Sequence, residues 1–429
     1  MHMSKSEVKV LVPKLRFPEF RNAQNWNPLT LGEVSDRITE KVGERQLTTV
    51  SITAGKGFVS QAEKFSRDIS GKQYKNYIAL KKGEFSYNKG NSKTFPQGAI
   101  YKLHEFDEVA APNAFISFRF KDEYVADFYK GYFENNFHGR QLLRYITSGA
   151  RSDGLLNINP NDFFKIILPT PVDKIEQQKI ADCLSSIDEL IEAEGEKLDE
   201  LKAHKKGLVQ QLFPSNGKTV PQLRFPEFQN DKGWMREELF NILDKIIDYR
   251  GKAPPKAEIG VPLITAKNVR SGWLDMSCDE YIAADKYESW MSKGMPKAGD
   301  ILFTTEAPLG HVAFFPSDGK FALGQRILTL RTKPEKCIPE FLFQSLLGPQ
   351  MQNEINFNST GSTAKGIKSS VFSRIGFCYP EIPEQRKIAS FLSSIDKLIL
   401  SEAKKVEKLK EYKKGLMQQL FPSIEGVDL

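Results

Sequence analysis

The stretch EQQKIADCLSSIDELIEAEGEKLDELKAHKKGLVQQLFPS, residues 176–215, decides the fold because it returns as EQRKIASFLSSIDKLILSEAKKVEKLKEYKKGLMQQLFPS at residues 384–423. The two copies agree at 26 of 40 positions, without insertion or deletion. In each copy apolar residues recur at alternating steps of three and four, which is the seam of a coiled coil. Each copy ends at Phe-Pro, where proline stops a helix. The sequence therefore predicts two long helices with matching seams.

A narrow seam leaves apolar surface that one helix cannot bury alone, so we expect the two helices to pack as an antiparallel pair. The segment 172–215 carries 6 basic and 10 acidic residues, and the segment 380–423 carries 9 and 6. Opposite net charges favour pairing within the chain over either homodimer. Taken alone, the helices fit a coiled-coil stalk of no special function equally well.

Four charged seam residues specify a register for this pair: Glu194, Lys205, Glu402 and Lys413. Aligning Glu194 with Lys413 places Lys205 opposite Glu402 and leaves every other layer apolar. A slide of one heptad brings Glu194 to Val406 and sets all four charges against apolar residues. Because an unpaired, partly buried charge is costly, we expect the register shifted by one heptad to be the less stable of the two.

The repeat extends beyond the helices. VPKLRFPEF at residues 12–20 returns as VPQLRFPEF at residues 220–228, with the offset of 208 that also relates the helices. The sequence thus predicts a pseudo-twofold molecule of two tandem units. We divide it into a lead-in and first body (1–171), a first helix (172–215), a second lead-in and body (216–379) and a second helix (380–429).

The two bodies differ almost everywhere and are predicted to be mixed α+β globular domains. Helices are expected near 125–146 and 339–355, each followed by a polar glycine loop, TSGARSDG (147–154) and STGSTAKG (359–366). Two divergent bodies between repeated lead-ins and helices are typical of domains that recognise different ligands. Divergent drift of two structural domains is the alternative. The predicted strands are TTVSIT (48–53), EFSYN (84–88), AFISFRF (114–120), VPLITA (261–266), DILFTT (300–305) and RILTLR (326–331).

Charge and composition restrict the functional class. The chain has a formal charge of +7, and because the helical segments sum to −1, the remainder carries +8. A surface that binds a polyanion is therefore expected in the bodies. No apolar run or basic leader predicts a membrane span or secretion, and the scattered cysteines read as reduced thiols, so we expect a cytoplasmic protein.

Catalytic motifs were sought and not found. GSTAKGIKS (361–369) lacks the consecutive Gly-Lys-Ser/Thr of a phosphate loop, because Ile367 separates Gly366 from Lys368. No fingerprint for S-adenosylmethionine or a dinucleotide is present, and the histidines are isolated, which argues against a zinc site. We expect no catalytic residue, metal or cofactor in this chain. Dispersed nuclease sites leave little sequence trace, so an enzyme stays open as an alternative.

Candidate DNA-binding residues are polar or basic side chains near strand ends and in the glycine loops. Arg, Asn and Gln suit base edges, whereas Lys, Ser and Thr suit phosphates. For each of them an ordinary surface residue or a structural turn is the alternative. The candidates are Tyr87, Asn88, Lys89, Asn91, Ser92, Lys93, Ser148, Gly149, Arg151 and Ser152 in the first body, and Thr304, Thr305, Gln325, Arg326, Thr360, Gly361, Ser362, Thr363, Lys365 and Lys368 in the second.

Several motifs occur in a distinctive order: the LRFPEF lead-ins, the Trp-x4-Leu openings from Trp26 and Trp234, a TGS loop, EQxKIAxxLSSID and KKGLxQQLFPS. In this order the chain resembles the specificity (S) subunits of type I restriction-modification systems over essentially its whole length. The first glycine loop departs from the pattern, since it has TSGARS where the second has TGST.

The resemblance implies that each body is a target recognition domain for half of a split sequence in double-stranded DNA. It also implies partners: two modification subunits that methylate adenine with S-adenosylmethionine, and two restriction subunits that use ATP and Mg²⁺. The register above would make the overlap of the helices, residues 187–212, ~39 Å long. One DNA turn spans ~34 to 36 Å, so half-sites about one turn apart are expected.

We therefore expect a non-catalytic, bipartite DNA-recognition subunit. The alternatives are a single-chain DNA methyltransferase or nuclease with an unrecognised site, and a coiled-coil scaffold that binds no DNA. Assays of the purified chain with DNA, S-adenosylmethionine and Mg²⁺ discriminate the enzyme, and salt-dependent DNA binding discriminates the scaffold.

Overall fold

The structure is a computed structural model that describes residues 11–53, 55–66, 71–90, 95–146, 156–215, 217–251, 253–277, 280–361 and 365–424. The chain divides into two compact units. Unit 1 consists of Met1–Glu194 and Lys405–Leu429, and unit 2 of Gly195–Lys404. Each unit therefore contains one body and half of each long helix.

Helices of four to nine residues lie within the bodies, and two helices of 39 residues follow them. The long helices end where predicted, immediately before Phe213-Pro214 and Phe421-Pro422. In chain order the α-helices are α1 (Leu31–Val34), α2 (Gln61–Phe65), α3 (Ala126–Glu134), α4 (Gly139–Leu142), α5 (Pro160–Phe163), α6 (Lys174–Leu212), α7 (Leu239–Ile242), α8 (Tyr287–Trp290), α9 (Pro339–Leu347), α10 (Pro349–Phe357), α11 (Ser369–Phe372) and α12 (Ile382–Leu420).

Unit 1 contains a two-stranded sheet, β1-β10, and two four-stranded sheets with the orders β2-β9-β6-β7 and β4-β3-β8-β5. All its strand pairs are antiparallel except β3 with β8. Its strands are β1 (Asn27–Thr30), β2 (Ser35–Arg37), β3 (Thr48–Thr53), β4 (Gly57–Ser60), β5 (Ile78–Lys81), β6 (Phe85–Asn88), β7 (Ala99–Lys102), β8 (Glu108–Ala111), β9 (Ile116–Phe120) and β10 (Ile167–Thr170).

Unit 2 repeats this plan with β11-β20, β12-β19-β16-β17 and β13-β15-β14-β18, and again one pair, β14 with β18, is parallel. Its strands are β11 (Met235–Glu238), β12 (Leu243–Asp248), β13 (Lys256–Ala257), β14 (Val261–Ile264), β15 (Tyr281–Ile282), β16 (Ile301–Thr305), β17 (Leu309–Phe314), β18 (Ala322–Leu323), β19 (Ile327–Thr332) and β20 (Gly376–Tyr379). The predicted mixed α+β class and tandem repeat are confirmed, and each predicted strand is present to within two residues at either end.

A buried carboxylate at the start of each long helix holds the lead-in in place. In unit 1, Arg16 donates from Nε and Nη2 to Glu176, both at 2.7 Å, and the Trp26 indole N–H donates to the same carboxylate at 3.2 Å. Glu176 is only 1% exposed. The pair is bidentate and satisfies both carboxylate oxygens, so a buried charge is tolerated there.

Unit 2 contains the same arrangement 208 residues later. Arg224 donates to Glu384 at 2.8 and 2.6 Å, and the Trp234 indole N–H donates at 3.3 Å. The next residue of each helix, Gln177 or Gln385, accepts a hydrogen bond from the backbone N–H of its own body. The repeated sequence motifs therefore build one repeated anchor that joins lead-in, body and helix.

Both long helices contribute to the hydrophobic core of each unit. Ile180 and Leu184 of α6 lie in the core of unit 1 together with Leu420 of α12. Ile388 and Leu392 of α12 lie in the core of unit 2. The expectation that these four α6 and α12 residues pack against the bodies is confirmed, but they do not overhang the helix pair, since the partner helix enters the same core.

The helices run antiparallel within each unit. In unit 1, Asp188 of α6 pairs with Lys413 of α12 at 2.5 Å, and Glu194 pairs with Lys405. In unit 2 the corresponding pairs are Asp396 with Lys205 at 2.6 Å and Glu402 with Lys197 at 3.0 Å. Residue numbers rise along one helix as they fall along the other, and each pair in unit 2 has its counterpart in unit 1.

The predicted register is wrong by one heptad. Glu194 does not meet Lys413, and Lys205 does not meet Glu402; the observed pairs correspond to the alternative that brings Glu194 level with Val406. The seam residues by themselves disfavour this alternative, because it sets each seam charge level with an apolar seam residue. Side chains that flank the seam supply ion-pair partners instead, which reduces the expected cost. The 26-residue overlap belongs to the other register, and the expected spacing of the half-sites stays a prediction.

Candidate nucleic-acid interface

In unit 2 the predicted residues of the strand ends and of the glycine loop meet at one edge of the sheet. The backbone N–H of Thr305, the last residue of β16, donates to the carbonyl of Arg326 at 3.0 Å, just before β19 begins. The backbone N–H of Ile367, just after the glycine loop, donates to the carbonyl of Thr305 at 3.0 Å. Arg326 and Ile367, which follow Thr305 by about 20 and about 60 residues in the sequence, thus both hydrogen-bond to the backbone of Thr305.

The glycine loop is closed by its own backbone. Thr360 and Gly366 exchange two hydrogen bonds of 2.9 Å, and Gly366 also forms a bridge with Glu306. A Cβ at position 366 would lie 3.4 Å from the Glu306 Cβ, which is van der Waals contact, so the loop packs closely against the strand end.

Arg250 fastens this loop to β12. Its guanidinium forms an ion pair with Asp248 at 2.6 Å and donates to the Ile367 carbonyl at 3.3 Å. Burial by itself raises the pKa of the Asp248 carboxyl, but hydrogen bonds from the Arg250 side chain and backbone outweigh burial, and the net pKa is lowered. Asp248 is thus a stable anion that orients Arg250.

Unit 1 has the same closure with different side chains. The backbone N–H of Leu156 donates to the carbonyl of Lys89, which follows β6, at 2.9 Å. The Lys89 ammonium donates to the Ile158 carbonyl at 3.2 Å, and the Asn88 amide donates to the Ile52 carbonyl at 3.3 Å. Lys89 and Asn88 therefore shape the edge of the sheet through backbone contacts.

Three candidates are buried, which contradicts a direct role at a DNA surface. Tyr87 is 0% exposed and its hydroxyl donates to the Gln97 carbonyl, and burial raises its pKa. Thr304 is 0% exposed and its hydroxyl accepts from the His311 N–H, and Thr305 is 2% exposed. β16 is buried along its whole length, so Thr304 and Thr305 are covered although they point to opposite faces of the strand, and Tyr87 lies in the buried part of β6.

Seven candidates keep accessible side chains: Asn88, Lys89 and Gln325 are half-buried, and Arg326, Thr360, Lys365 and Lys368 are exposed. Asn88 and Lys89 belong to unit 1, and the other five belong to the edge just described in unit 2. The remaining side-chain candidates lie outside the described residues; they are Asn91, Ser92, Lys93, Ser148, Gly149, Arg151, Ser152, Ser362 and Thr363.

Sequence reasoning missed four residues that organise the units: Arg16, Glu176, Arg250 and Glu306. Arg16 and Glu176 lie in motifs that recur in both repeats, so their identity between copies was the available signal. Arg250 and Glu306 have no such signal, because they belong to the divergent bodies.

Among the described residues, no helix combines the length and apolar character needed to cross a bilayer. Curated relatives were found in Methanocaldococcus jannaschii. The chain is 26% identical over 285 residues to the type I restriction enzyme MjaVIII specificity subunit, covering 65% of this chain and 66% of that protein. It is 28% identical over 306 residues to the putative type I restriction enzyme MjaX specificity subunit, covering 69% and 68%. The match thus spans about two thirds of each relative.

Solved structures share the fold at low identity. The S subunit of a type I restriction-modification system from M. genitalium superposes with a TM-score of 0.57 at 15% identity, covering 96% of this chain and all of that one. A chain solved in work on complex assembly and conformational transition of the type I R-M system superposes with a TM-score of 0.54 at 16% identity, covering 92% and 97%.

A family model described as type I restriction modification DNA specificity domain matches residues 24–203 and 237–411, which is most of the chain and one match per repeat. The chain belongs to this family of DNA specificity domains of type I restriction-modification systems.

Proposed function

We propose that this chain is a non-catalytic specificity subunit that reads a bipartite DNA target, with one half-site for each unit. The observation that carries the proposal is that both units have the same anchor and the same loop closure, whereas the residues at the edge of the sheet differ. The anchor of Glu176 recurs at Glu384, and the loop closure at Lys89 recurs at Thr305. The residues at that edge differ between the units, with Asn88 and Lys89 in unit 1 and Thr304 and Thr305 in unit 2, as expected where two surfaces read different sequences.

The charge of the edge suits DNA. Arg326, Lys365 and Lys368 are exposed cations at the edge of unit 2. Cations and backbone donors bind phosphates, and Arg and Gln side chains can address base edges in the major groove. Lys365→Ala is accordingly expected to weaken binding evenly across sequences and to reduce the salt dependence.

The partners follow from the family and are part of the proposal. Two modification subunits would supply the base-flipping pocket and S-adenosylmethionine, and two restriction subunits would use ATP and Mg²⁺. The chain by itself would then neither methylate nor cleave DNA.

The first test is reconstitution. The purified chain, the modification subunit and their mixture are incubated with genomic DNA, S-adenosylmethionine and Mg²⁺, and methylated adenines are mapped. We expect methylation only in the mixture and at a split sequence. Methylation or cleavage by the chain alone would favour the single-chain enzyme, and a mixture without salt-dependent DNA binding would favour the scaffold.

The second test is an exchange of residues 21–171 for the body of a relative. One half of the methylated sequence should change while the other half and the spacing stay. Exchange of residues 229–379 is the matched control, and it should change the opposite half. If both halves changed after either exchange, the units would not read independently.

A further inference from the structure

Glu306 and Arg326 form an ion pair at the edge of unit 2 that no motif predicted. The Arg326 Nε lies 2.8 Å from Glu306 Oε1, and the side chains are 54% and 45% exposed. An exposed pair of this kind contributes little to the free energy of unfolding. Its effect is instead on the orientation of the Arg326 side chain.

The backbone holds both members of the pair in place. Thr305 immediately precedes Glu306 and bonds to the Arg326 carbonyl through both its N–H and its hydroxyl, at 3.0 and 3.3 Å. On the other side, the bridge to Gly366 positions Glu306. Two neighbouring strand ends thus set the distance between carboxylate and guanidinium before any ligand binds.

Glu306 approaches the guanidinium most closely at Nε, which lies 2.8 Å from its Oε1, and among the described residues neither Nη atom of Arg326 donates a hydrogen bond. A planar guanidinium held at one edge presents its other N–H groups in a fixed direction. Two parallel N–H groups match the O6 and N7 acceptors that guanine shows in the major groove.

We propose that Arg326 reads a guanine in the half-site of unit 2 and that Glu306 is the positioning residue that orients it. This rests on the proposed function, because it requires unit 2 to face DNA. The edge of unit 1 lacks the pair: Gly90 follows the residue that closes the loop, and Phe115 precedes β9. The guanine contact thus belongs to one half-site only.

The test uses the chain in complex with its modification subunit and duplexes of the mapped target. Each guanine of the second half-site, on either strand, is replaced in turn by 7-deazaguanine, which pairs normally but lacks the N7 acceptor. The wild-type complex should lose roughly tenfold to a hundredfold in affinity at one position. Arg326→Ala should lose that sensitivity, so that native and modified duplexes bind equally.

Glu306 is tested by two variants with different expectations. Glu306→Gln keeps an oxygen that can accept from Nε and should retain most of the discrimination. Glu306→Ala should lower discrimination at that guanine at least fivefold while binding to unrelated DNA becomes tighter, because a negative charge near the phosphates is removed. A merely structural role would weaken both kinds of binding together.

Arg270→Ala is the matched control, since Arg270 is another half-exposed arginine of unit 2 paired to a carboxylate, Asp275, at 2.9 Å. It should leave the sensitivity at that position unchanged. The inference is overturned if the second half-site contains no guanine, or if Arg326→Ala and 7-deazaguanine act additively. Failure of the proposed function looks different, because the wild-type complex would then not prefer the split target at all.

Discussion

In unit 1 an arginine and a tryptophan meet a buried glutamate at the start of α6, and in unit 2 the same three residue types meet at the start of α12. The sheets between these anchors have diverged. Unit 1 ends its second large sheet with β5 beyond β8, whereas unit 2 ends at β18 and adds β13 at the other edge. The comparison teaches that the repeated residues determine where the chain enters and leaves a unit, which leaves the edges of the sheets free to change.

A second difference concerns the partners of one lysine of the long helices in each unit. Lys413 in unit 1 is held by Asp188 and by Glu134 of α3, whereas its counterpart Lys205 in unit 2 meets Asp396, whose other oxygen accepts from the Gln344 amide. The helix residues are the same in both repeats, and the body supplies a charge in one unit and a neutral amide in the other. Each unit should therefore respond differently to the same substitution.

The largest effect is expected at the anchors. Glu384→Ala leaves Arg224, whose side chain is 8% exposed, without its carboxylate and the Trp234 indole N–H without an acceptor. Breaking such a buried pair costs about 3 to 5 kcal/mol in the free energy of unfolding. Urea denaturation measures the loss, with exposed Glu407→Ala of the same helix as the control.

The same anchor in unit 1 sharpens the comparison. Glu176→Ala should cost as much as Glu384→Ala, because the geometry and burial of the two anchors agree. The double variant Glu384→Ala with Arg224→Ala should lose less than the sum, since no unpaired charge remains. A loss below about 1 kcal/mol for either single variant would contradict a shared anchor.

A pH effect is expected for unit 1. His138 is fully buried between α3 and α4, and burial lowers its pKa to about 4. In the unfolded chain His138 binds a proton below pH 6.5, whereas in the folded chain it binds one only below about pH 4. The free energy of unfolding therefore falls as the pH falls through this window. The loss approaches about 3 kcal/mol, at about 1.4 kcal/mol per pH unit.

His138→Leu removes the titrating group and should flatten the pH dependence of unfolding between pH 6.5 and 4 relative to the wild type. The slope is the readout, so a change in absolute stability from repacking does not interfere. Exposed His104→Leu is the matched control for the replacement of an imidazole by leucine. An unchanged slope in His138→Leu would show that the imidazole is accessible to protons in the folded state.

The two helix lysines should distinguish the units. Lys413→Ala leaves Asp188 and Glu134 to share the cation of Lys130, whereas Lys205→Ala leaves Asp396 with the Gln344 amide donor. We expect Lys413→Ala to cost about 1 to 3 kcal/mol and Lys205→Ala less, measured by thermal and urea unfolding. Equal losses would mean that the body contributes nothing to the network.

Charge reversal tests the register of the helices. Lys205→Asp should destabilise, and adding Asp396→Lys should restore much of the loss, because these two residues are partners. Adding Glu402→Lys instead should not restore it. Rescue by Glu402→Lys and not by Asp396→Lys would bring back the register that the seam charges alone had predicted.

The smallest energetic effect is expected for crosslinks along the seam. A Leu198→Cys, Glu402→Cys pair lies level in the observed register and should oxidise to a disulfide, as judged by mobility on a non-reducing gel. A Leu198→Cys, Leu409→Cys pair lies one heptad apart and should stay reduced. The opposite pattern would contradict the ion pairs of both units.

Much of the architecture was readable in the sequence because it is periodic or repeated. The seam, the Phe-Pro stops and the offset of 208 residues predicted two long helices, two bodies and a mixed α+β class, and the alternation of apolar residues located the strands. At the candidate interface the sequence identified the right strand ends and glycine loop. It could not tell Thr304, which faces the core, from Arg326, which faces solvent, because both stand next to a strand end.

The sequence patterns did not show which charged residues of distant segments pair with each other. The seam residues are compatible with two registers one heptad apart, and the choice falls to flanking residues such as Lys405 and Asp188 whose partners only the folded helices bring near. The ion pair of Glu306 with Arg326 depends likewise on two strand ends that hydrogen bonding draws together. Periodic burial is a local property and can be read along the chain, whereas charge pairing requires the three-dimensional fold to set the distances.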